Sequence, residues 1–313
     1  MVILTGGKTG GHITPLIALA RHLDDCLYVG EKGGLEEKLC KENNIKFYGI
    51  YVKNNLFSMI SNSHKIKMAN IKYIISTGGY VSVPMILYGI RNNIPIFMIE
   101  GNIVLGRTVR LFKPFTKKIF LSYPCIKESK KFVVSGMPLL EKSNVVLDFD
   151  FDILIVGSSL GSKPLCDLVF SLNERYKILL IAGRYYKDYE NIKNVKVYEY
   201  HSNLVGLMRK SKLVISRAGA MSSYEIFSIG KPCVIIPSIT VSHNHQVINA
   251  KYFSEEGACV FLDEGEASNE ILNVVTNLLN SDNKISDMLY NQRRITNKKS
   301  IDIIIKEIKN ELS

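Results

Sequence analysis

The chain has 313 residues, 46% of them hydrophobic, and its 40 Lys and Arg against 29 Asp and Glu give a formal net charge of +11. These values fit two globular domains better than one domain or a disordered chain. No apolar stretch reaches the roughly 20 residues that a membrane-spanning helix needs, and no zinc-finger, RNP-type or helix-turn-helix signature accompanies the charge, so we expect neither a membrane span nor a nucleic-acid partner.

Apolar runs of strand length alternate with helical patterns along the whole chain. Seven such runs lie before residue 140: 1–4, 26–29, 46–50, 73–76, 96–99, 118–121 and 132–134. After an acidic joint at 146–152, six more follow: 153–156, 177–181, 195–198, 213–216, 233–236 and 259–261. Continuous apolar strands that alternate with helices are typical of parallel sheets with helices on both faces. The sequence therefore predicts an α/β protein with two doubly wound parallel sheets.

Glycine-rich segments directly follow several of these strands. They read TGGKTGGH at 5–12, STGGYVSVP at 76–84, EGNIVLG at 100–106 and VGSSLGS at 156–162. Ligands of parallel sheets bind beyond the carboxyl ends of the strands, so these segments predict a binding edge. Their spacing fits neither a Walker loop, because Lys8 is misplaced, nor a dinucleotide-binding turn. A helix is predicted from Leu16 to Leu23, after the first of them.

The segment SRAGAMSSYE at 216–225 follows the predicted strand 213–216. Its small residues predict a helix start whose N–H groups and positive dipole end hold a phosphate. Glu225 lies within about two turns of that start, where its carboxylate can accept hydrogen bonds from both hydroxyls of a ribose. Arg217 has two open interpretations, a contact with the phosphate or packing at the strand end.

The six cysteines are scattered without CxxC spacing, at positions 26, 40, 125, 166, 233 and 259. We expect them to be free thiols in a reducing cytosol, with no disulfide and no zinc site. His243 and His245 lack a further ligand candidate nearby, so we predict no metal centre there. The chain begins with an apolar strand rather than a signal peptide, and export is not expected.

Lysines crowd the first half of the chain, at positions 53, 65, 67, 72, 113, 117, 118, 127, 130 and 131. A basic face of this kind attracts an anionic membrane surface or a substrate that carries a diphosphate. The alternative is a solvated surface without a partner.

Seven segments, in the same order along the chain, resemble the MurG family of glycosyltransferases: TGGKTGGHITP, STGGYVSVP, EGNIVLG, SGMP (135–138), VGSSLGS, SRAGAMSSYE and HNHQVINA (243–250). The resemblance implies a GT-B fold, in which two doubly wound domains face each other across a cleft. Residues 1–145 are expected to form an acceptor-binding, membrane-facing domain, and 146–295 a UDP-sugar-binding domain. The helical apolar spacing of 301–312 predicts a terminal helix, and residues 296–313 are expected to pack back on the first domain.

The resemblance also implies a reaction. N-acetylglucosamine moves from UDP-N-acetylglucosamine, with inversion, to the 4-hydroxyl of a muramyl-pentapeptide on undecaprenyl diphosphate, in peptidoglycan synthesis. Such an enzyme is a peripheral protein at the cytoplasmic face of the cell membrane, held by an anionic surface. No tightly bound cofactor is implied, although Mg²⁺ can assist a diphosphate.

Matching positions carry the family's roles. His12 is the candidate for deprotonating the acceptor hydroxyl, because imidazole titrates near neutral pH; the alternative is a histidine that only shapes the loop. The donor-binding positions are Ser159, Ala220, Met221, Ser222, Glu225, Gln246 and Asn249. The acceptor-binding positions are Thr9, Gly10, Gly11, Gly78, Gly79, Tyr80 and Asn102.

One departure from the family pattern concerns the donor. Leu139 and Leu140 follow SGMP, where the family continues to an arginine that meets the donor phosphates. Either Arg184 or Lys163 has to replace that arginine, or donor binding is weaker.

Further departures concern the acceptor and the membrane. Ile99 and Gly101 flank Glu100 where the family has a histidine and a glutamine. The region 51–73 is shorter than in the family, and the apolar residues left for a membrane patch are Leu56, Phe57, Met59 and Ile60. This region can still make a peripheral contact, or it is a reduced loop.

Three other functions stay open. The chain can be a related GT-B transferase for another lipid-linked or polysaccharide acceptor, or a non-catalytic UDP-sugar-binding partner of a membrane enzyme. A sugar-nucleotide epimerase of the same architecture would need additional acidic and basic groups, which the sequence does not reveal.

Overall fold

The computed structural model describes residues 1–124, 130–140, 145, 147, 149–157, 161–238, 244–296 and 299–313. It divides into two compact units, Met1–Glu141 with Asn297–Ser313, and Lys142–Thr296. Each unit is built on one parallel sheet with helices packed on it. In the described helices, none is long and apolar enough to cross a bilayer.

Among its described residues, the first unit contains seven strands and six α-helices. The strands are β1 Val2–Gly6, β2 Cys26–Glu31, β3 Phe47–Ile50, β4 Tyr73–Gly78, β5 Ile96–Glu100, β6 Lys118–Leu121 and β7 Phe132–Val134. The helices are α1 Gly10–Ala20, α2 Leu35–Glu42, α3 Leu56–Lys65, α4 Val83–Arg91, α5 Arg107–Phe112 and α13 Ser300–Leu312. The strand order is β3-β2-β1-β4-β5-β6-β7, and all pairs are parallel.

The second unit contains six strands and seven helices among its described residues. The strands are β8 Ile153–Val156, β9 Ile178–Ile181, β10 Val195–Tyr198, β11 Leu213–Ser216, β12 Cys233–Ile235 and β13 Val260–Phe261. The helices are α6 Lys163–Cys166, α7 Val169–Leu172, α8 Leu204–Lys210, α9 Ala220–Ile229, α10 His245–Glu255, α11 Ala267–Leu279 and α12 Asp282–Ile295. The strand order is β10-β9-β8-β11-β12-β13, again fully parallel.

Every predicted strand is present, with ends that differ by at most two residues. The central strands β1, β5, β8 and β11 are buried along their whole length. This burial on both faces explains why they read as continuous apolar runs rather than as alternating ones.

The predicted start of the first helix is wrong. The prediction placed the helix at 16–23, whereas the structure places it at Gly10–Ala20. The helix begins where the N–H of His12 donates to the Thr9 carbonyl at 3.0 Å. Pro15 lies inside the helix and lacks only one N–H, so it does not mark the helix start. His12 therefore belongs to the first helical turn.

The C-terminal helix α13 belongs to the first unit. Its residues Ile304 and Ile308 are buried. The Lys118 ammonium at the start of β6 lies 3.1 Å from the Glu311 carboxylate.

Each sheet has one switch point, where the strand order reverses direction. In the first sheet it lies between β1 and β4, and in the second between β8 and β11. In open α/β sheets, ligands bind at such points, outside the carboxyl ends of the strands. Segments 5–12 and 76–84 follow β1 and β4, and segments 156–162 and 216–225 follow β8 and β11.

Candidate functional site

We call the loops at each switch point a half-site. The first half-site consists of segments 5–12 and 76–84, at the switch point between β1 and β4. Thr9 is the N-cap of α1 but makes no side-chain cap hydrogen bond. Gly10 begins the helix, and a Cβ placed on it meets no atom within 4 Å, so open space lies above its backbone. Gly11 is half-buried in the same first turn. A ligand can therefore approach the backbone of this turn closely.

The second glycine loop of this half-site needs its glycines for their backbone conformation. Gly78 and Gly79 have φ of 85° and 79°, in the left-handed region that residues with a Cβ rarely adopt. The Ser82 hydroxyl donates to the Gly79 carbonyl at 2.8 Å. Tyr80 follows in a short 3₁₀ turn, and its hydroxyl donates to Glu31 Oε2 at 3.4 Å. The loop thus has a defined shape beside the first glycine loop, where a Cβ on Gly79 would lie 3.4 Å from the Gly7 carbonyl oxygen.

His12 is held across the switch point by two hydrogen bonds to Thr77. Its Nδ1 lies 2.9 Å from the Thr77 carbonyl oxygen, and the Thr77 hydroxyl donates to the His12 carbonyl at 2.7 Å. A carbonyl only accepts, so Nδ1 carries the proton and Nε2 keeps its lone pair. Burial lowers the pKa of His12, although the bond to Thr77 opposes this shift. The geometry therefore favours a neutral imidazole with its lone pair on Nε2.

Asn102 lies in a loop that a buried carboxylate organises. The Asn102 backbone N–H and side-chain amide donate to Glu100 Oε1 at 2.9 and 3.0 Å. The N–H of Gly106 donates to Glu100 Oε2 at 2.6 Å. Burial raises the pKa of Glu100, whereas these N–H donors lower it. Glu100 thus fixes the backbone of the loop and the side chain of Asn102.

A second buried carboxylate, which the sequence does not predict, lies under the first glycine loop. Glu36 of α2 is 1% exposed, and its Oε1 accepts from the backbone N–H of Lys8 at 2.7 Å. A Cβ on Gly7 or Gly34 would overlap its carboxylate oxygens, and one on Gly30 would lie 3.0 Å from its Cβ. These three glycines make the space for Glu36. In sequence, Glu36 looks like an ordinary acidic residue in the first turn of a surface helix.

The second half-site lies where β11 leads into α9. The N-cap is Gly219, which makes no side-chain cap hydrogen bond, and the N–H of Ser223 donates to its carbonyl at 2.9 Å. Ala220, the buried Met221 and the half-buried Ser222 form the first turn. Glu225 is half-buried and lies three residues after Ser222, on the same helix face. A helix start without a side-chain cap is thus followed by a carboxylate one turn further along.

Helix α10 closes this half-site with two amide side chains. Gln246 Oε1 accepts from the Ser238 N–H at 2.9 Å, which leaves its amide N–H groups as donors. Asn249 is 1% exposed, and its amide donates to the Ala218 carbonyl at 3.1 Å. Asn249 thus holds the loop before α9. Ser159, the remaining predicted donor-binding position, lies outside the described residues.

Arg217 packs at the end of β11 and does not present its guanidinium to solvent. Its Nη1 donates to the Ile236 carbonyl at 3.1 Å, and its Nη2 donates to the Ser162 hydroxyl and to the Glu264 carboxylate. The Arg217 and Glu264 side chains are 9% and 15% exposed. The structure therefore favours the packing interpretation of Arg217, which ties together the loops after β8, β12 and β13.

Arg184 and Lys163, the two alternatives for the missing arginine, both lie near the loop after β8. Arg184 is exposed and stacks on the Tyr185 ring at 4.9 Å, and a Cβ on Gly161 would lie 2.9 Å from that ring. Lys163 pairs with Asp167 at 3.7 Å.

Within the described ranges, no group of three or more His, Cys, Asp or Glu side chains is arranged to hold a metal ion. Burial raises the pKa of Cys166 to about 11 and that of Cys40 to about 12, so both thiols are protonated at neutral pH. Cys40 and Cys166 are therefore neither thiolate ligands nor thiolate nucleophiles at neutral pH.

Gly219→Ala tests whether a diphosphate approaches the start of α9. A Cβ there would have one neighbour, Ser222 Oγ at 3.9 Å, and the backbone φ of −69° suits alanine. We expect the free energy of unfolding to change by less than about 1 kcal/mol and the affinity for UDP to fall by about tenfold or more. Calorimetry with UDP measures this, with Gly265→Ala in an exposed loop of the same unit as the control. Unchanged affinity in Gly219→Ala would contradict this placement.

Two family models match the chain. The glycosyltransferase family 28 N-terminal domain matches residues 1–121, and the glycosyltransferase family 28 C-terminal domain matches residues 153–308. Together they include both switch points.

Relatives of known name match nearly the whole chain. The UDP-N-acetylglucosamine–N-acetylmuramyl-(pentapeptide) pyrophosphoryl-undecaprenol N-acetylglucosamine transferase of Clostridium botulinum (strain Alaska E43 / Type E3) is 32% identical over 98% of this chain and 97% of its own. The protein of the same name from Clostridium tetani (strain Massachusetts / E88) is 32% identical over 86% of this chain and 87% of its own. The crystal structure of Acinetobacter baumannii MurG superposes with a TM-score of 0.80 at 24% identity, covering 99% of each chain.

Proposed function

The chain is a MurG-like glycosyltransferase that belongs to glycosyltransferase family 28 and has the GT-B fold, and we propose that it moves N-acetylglucosamine from UDP-N-acetylglucosamine to the muramyl 4-hydroxyl of lipid I, giving lipid II. The observation that carries the proposal is the pair of switch points, each followed by glycine-rich or small-residue loops. They occur in a chain that is 32% identical, over 98% of its length, to an enzyme named for this transfer. One half-site serves each substrate.

The donor half of the proposal rests on α9. The UDP diphosphate binds at the helix start formed by Ala220, Met221 and Ser222, where backbone N–H groups and the helix dipole favour a dianion. The same groups stabilise the negative charge that develops on the departing UDP, without requiring a metal ion. Glu225 accepts hydrogen bonds from the two ribose hydroxyls. Gln246 donates its amide N–H to the sugar. Asn249 donates to the Ala218 carbonyl and thereby holds the loop before α9 in place.

The acceptor half rests on the two glycine loops after β1 and β4. Thr9, Gly10 and Gly11 offer backbone N–H groups to the acceptor diphosphate, and Gly78 and Gly79 allow a close backbone approach from the other side. His12 Nε2 removes the proton from the attacking hydroxyl. Tyr80 and Asn102 border the acceptor; these two positions are assigned from the resemblance to the MurG family.

The donor assignment is tested with Glu225→Ala and a matched pair of nucleotides. Two hydrogen bonds to a carboxylate are each worth about 1.5–3 kcal/mol, so UDP should bind at least about tenfold more weakly to the variant. The parent should also prefer UDP over 2′-deoxyuridine diphosphate, whereas Glu225→Ala should not distinguish them. Glu270→Ala, an exposed glutamate on α11, is the control. Retained discrimination in Glu225→Ala would remove Glu225 from the ribose site.

The acceptor is tested by offering several acceptors to the purified protein. We expect transfer to the muramyl-pentapeptide on a polyprenyl diphosphate and little transfer to a glycolipid or a polysaccharide. The second candidate function is transfer to such another acceptor, and Ile99 and Gly101 beside Glu100 favour it, because they change the loop that holds Asn102. Faster transfer to another acceptor would establish that alternative. UDP binding without transfer to any acceptor would instead indicate a non-catalytic partner subunit.

We propose further that the first unit attaches peripherally to an anionic membrane through α3. Leu56, Phe57 and Ile60 of this helix are 69%, 84% and 42% exposed, and Tyr51 before it is 71% exposed. Lysines at 53, 65 and 67 add positive charge around them. Apolar side chains beside basic ones are the composition of helices that lie in the membrane interface.

Phe57→Ser should weaken this attachment. Burying a phenylalanine is worth about 1.5–3 kcal/mol, so the partition constant to vesicles with anionic lipid should fall by roughly 10- to 100-fold, measured by co-sedimentation. Phe170→Ser in the second unit, where Phe170 is 59% exposed, is the matched control and should leave partitioning unchanged. Equal loss in both variants would contradict the role of α3.

A further inference from the structure

Lys8, in the first glycine loop, has a backbone conformation that is unusual for its residue type. Its φ is 78°, in the left-handed region. Seven non-glycine residues have a positive φ among those that the structure describes, and the other six are asparagines: Asn44, Asn70, Asn93, Asn191, Asn194 and Asn244. Asparagine adopts this region readily because its short polar side chain hydrogen-bonds locally, whereas lysine has no such compensation. Lys8 is therefore a strained residue in a binding loop, a feature that is found at functional sites.

The surrounding structure enforces this conformation. The Lys8 backbone N–H donates at 2.7 Å to Glu36, whose carboxylate is buried beneath the loop in the space left by Gly7, Gly30 and Gly34. A charge-assisted hydrogen bond of this kind fixes the orientation of the peptide. The positive φ of Lys8 is thus held in place by a buried carboxylate beneath the loop.

The enforced backbone directs the Lys8 side chain over the carboxyl edge of the sheet. Its ammonium nitrogen lies 3.7 Å from Glu31 Oε2 and 5.4 Å from the centre of the Tyr80 ring, which belongs to the second glycine loop. The Lys8 side chain is 56% exposed and that of Glu31 is 28% exposed. An exposed pair at this distance is weak, so the ammonium is free to exchange Glu31 for a more highly charged anion.

The two glycine segments that form this half-site contain a single lysine and no arginine in 5–12 and 76–84. Their backbone N–H groups can bind phosphate oxygens, but they carry no full positive charge. A lysine ammonium is a compact charge with three donors, which suits the several oxygens of a diphosphate. Tyr80 and Glu31 raise the pKa of Lys8, so it remains charged throughout the neutral range.

We propose that Lys8 is a substrate-binding residue whose ammonium leaves Glu31 and binds the diphosphate of the acceptor, between the two glycine loops. The identity of that acceptor rests on the proposed function. The other source of a diphosphate is the UDP donor, and measurements on each substrate separate the two.

Three substitutions test the proposal. Lys8→Asn removes the charge and places at φ 78° the residue type that tolerates it, so the strain is relieved. Lys8→Arg keeps the charge. Lys46→Asn is the matched control, because Lys46 also pairs with a carboxylate at 3.7 Å, that of Asp25, but lies before β3, at the opposite edge of the same sheet.

We expect Lys8→Asn to raise the KM for the lipid diphosphate acceptor by about tenfold or more, while the KM for UDP-N-acetylglucosamine stays at the parental value. Its melting temperature should equal or exceed that of the parent, so the substrate is bound less well by a protein that is no less stable. Lys8→Arg should retain most of the acceptor affinity, and Lys46→Asn all of it. An unchanged acceptor KM in Lys8→Asn, or a weakened donor with an unchanged acceptor, would overturn the proposal.

Calorimetry with a short-chain prenyl diphosphate and the matching prenyl monophosphate provides a measurement that needs no turnover. The parent should prefer the diphosphate, and Lys8→Asn should lose that preference. If the parent shows the preference through Lys8 yet transfers no sugar, the proposed function fails and the role of Lys8 stands. If the parent transfers sugar and Lys8→Asn keeps the preference, or if the parent binds neither compound, the role of Lys8 is wrong.

Discussion

Replacing His12 by asparagine is expected to lower kcat for sugar transfer by about 10²- to 10⁴-fold, the range for loss of a general base. The KM values of both substrates should change little, because Nε2 acts on a proton in the transition state. Asparagine is the informative replacement, since its amide can still donate to the Thr77 carbonyl that now accepts from His12 Nδ1 at 2.9 Å. The loop keeps its shape while the base is lost.

Initial rates at saturating substrate measure this effect, with His22→Asn as the control because His22 is exposed just beyond the end of α1. If His12 only shapes the loop, His12→Asn retains near-parental kcat, and the assignment as base is contradicted.

The lowered pKa of His12 makes two pH-dependent results follow. A base acts in its neutral form, so kcat should stay level as pH falls to the ordinary histidine value of 6.5 and decline only below it. The unfolded state takes up the proton first, so the free energy of unfolding should decrease as pH falls from 6.5 towards the folded pKa. Urea unfolding at pH 7.5 and 5.5 should show a smaller decrease for His12→Asn than for the parent. An equal decrease would mean that His12 titrates normally.

Replacing Arg217 by methionine is expected to destabilise the second unit by about 3–5 kcal/mol, because the carboxylate of Glu264 remains buried without its partner. Adding Glu264→Gln to this variant should recover part of the loss. Urea unfolding of the parent, both single variants and the double variant gives the coupling between the two side chains. The affinity for UDP should also fall, since Arg217 connects the loops around the start of α9 through the Ile236 carbonyl and Ser162.

Arg294→Met is the control for Arg217. Arg294 pairs with Glu256 at 3.6 Å, but the two side chains are 56% and 31% exposed. Exposed pairs contribute at most about 1 kcal/mol, so this variant should unfold almost like the parent. An Arg217→Met variant as mild as Arg294→Met would mean that Arg217 is not the connection that its contacts indicate.

The strands could be predicted from the sequence because burial on both faces leaves an unambiguous pattern. Ile153–Val156 and Leu213–Ser216, for example, have only apolar and small residues and were placed without error. The glycine segments could likewise be assigned to the carboxyl edge of each sheet, since parallel strands carry all their following loops to one edge.

The contacts that shape the half-sites could not be predicted in the same way. Glu36 is buried because Gly7 and Gly34 leave space for its carboxylate and Gly30 for its Cβ, and the contribution of Gly7, in the loop after β1, is not visible in the sequence around Glu36. Arg217 was equally compatible with phosphate and with packing until Glu264, 47 residues later, supplied a partner. The start of α1 was misplaced because its first two residues, Gly10 and Gly11, are of a type with low helix propensity. The environments of Glu36 and Arg217 thus depend on contacts between segments that are distant in sequence.

The most direct test of the account is the structure of the product. The purified chain is incubated with UDP-N-acetylglucosamine and a muramyl-pentapeptide on a short-chain polyprenyl diphosphate, and the isolated product is analysed by mass spectrometry and NMR. We predict one added N-acetylglucosamine, β-linked to the muramyl 4-hydroxyl, and much less of this product from Glu225→Ala and from His12→Asn in the same reaction time. An acceptor that remains unglycosylated, or a sugar linked with the α configuration or at another hydroxyl, would contradict the account.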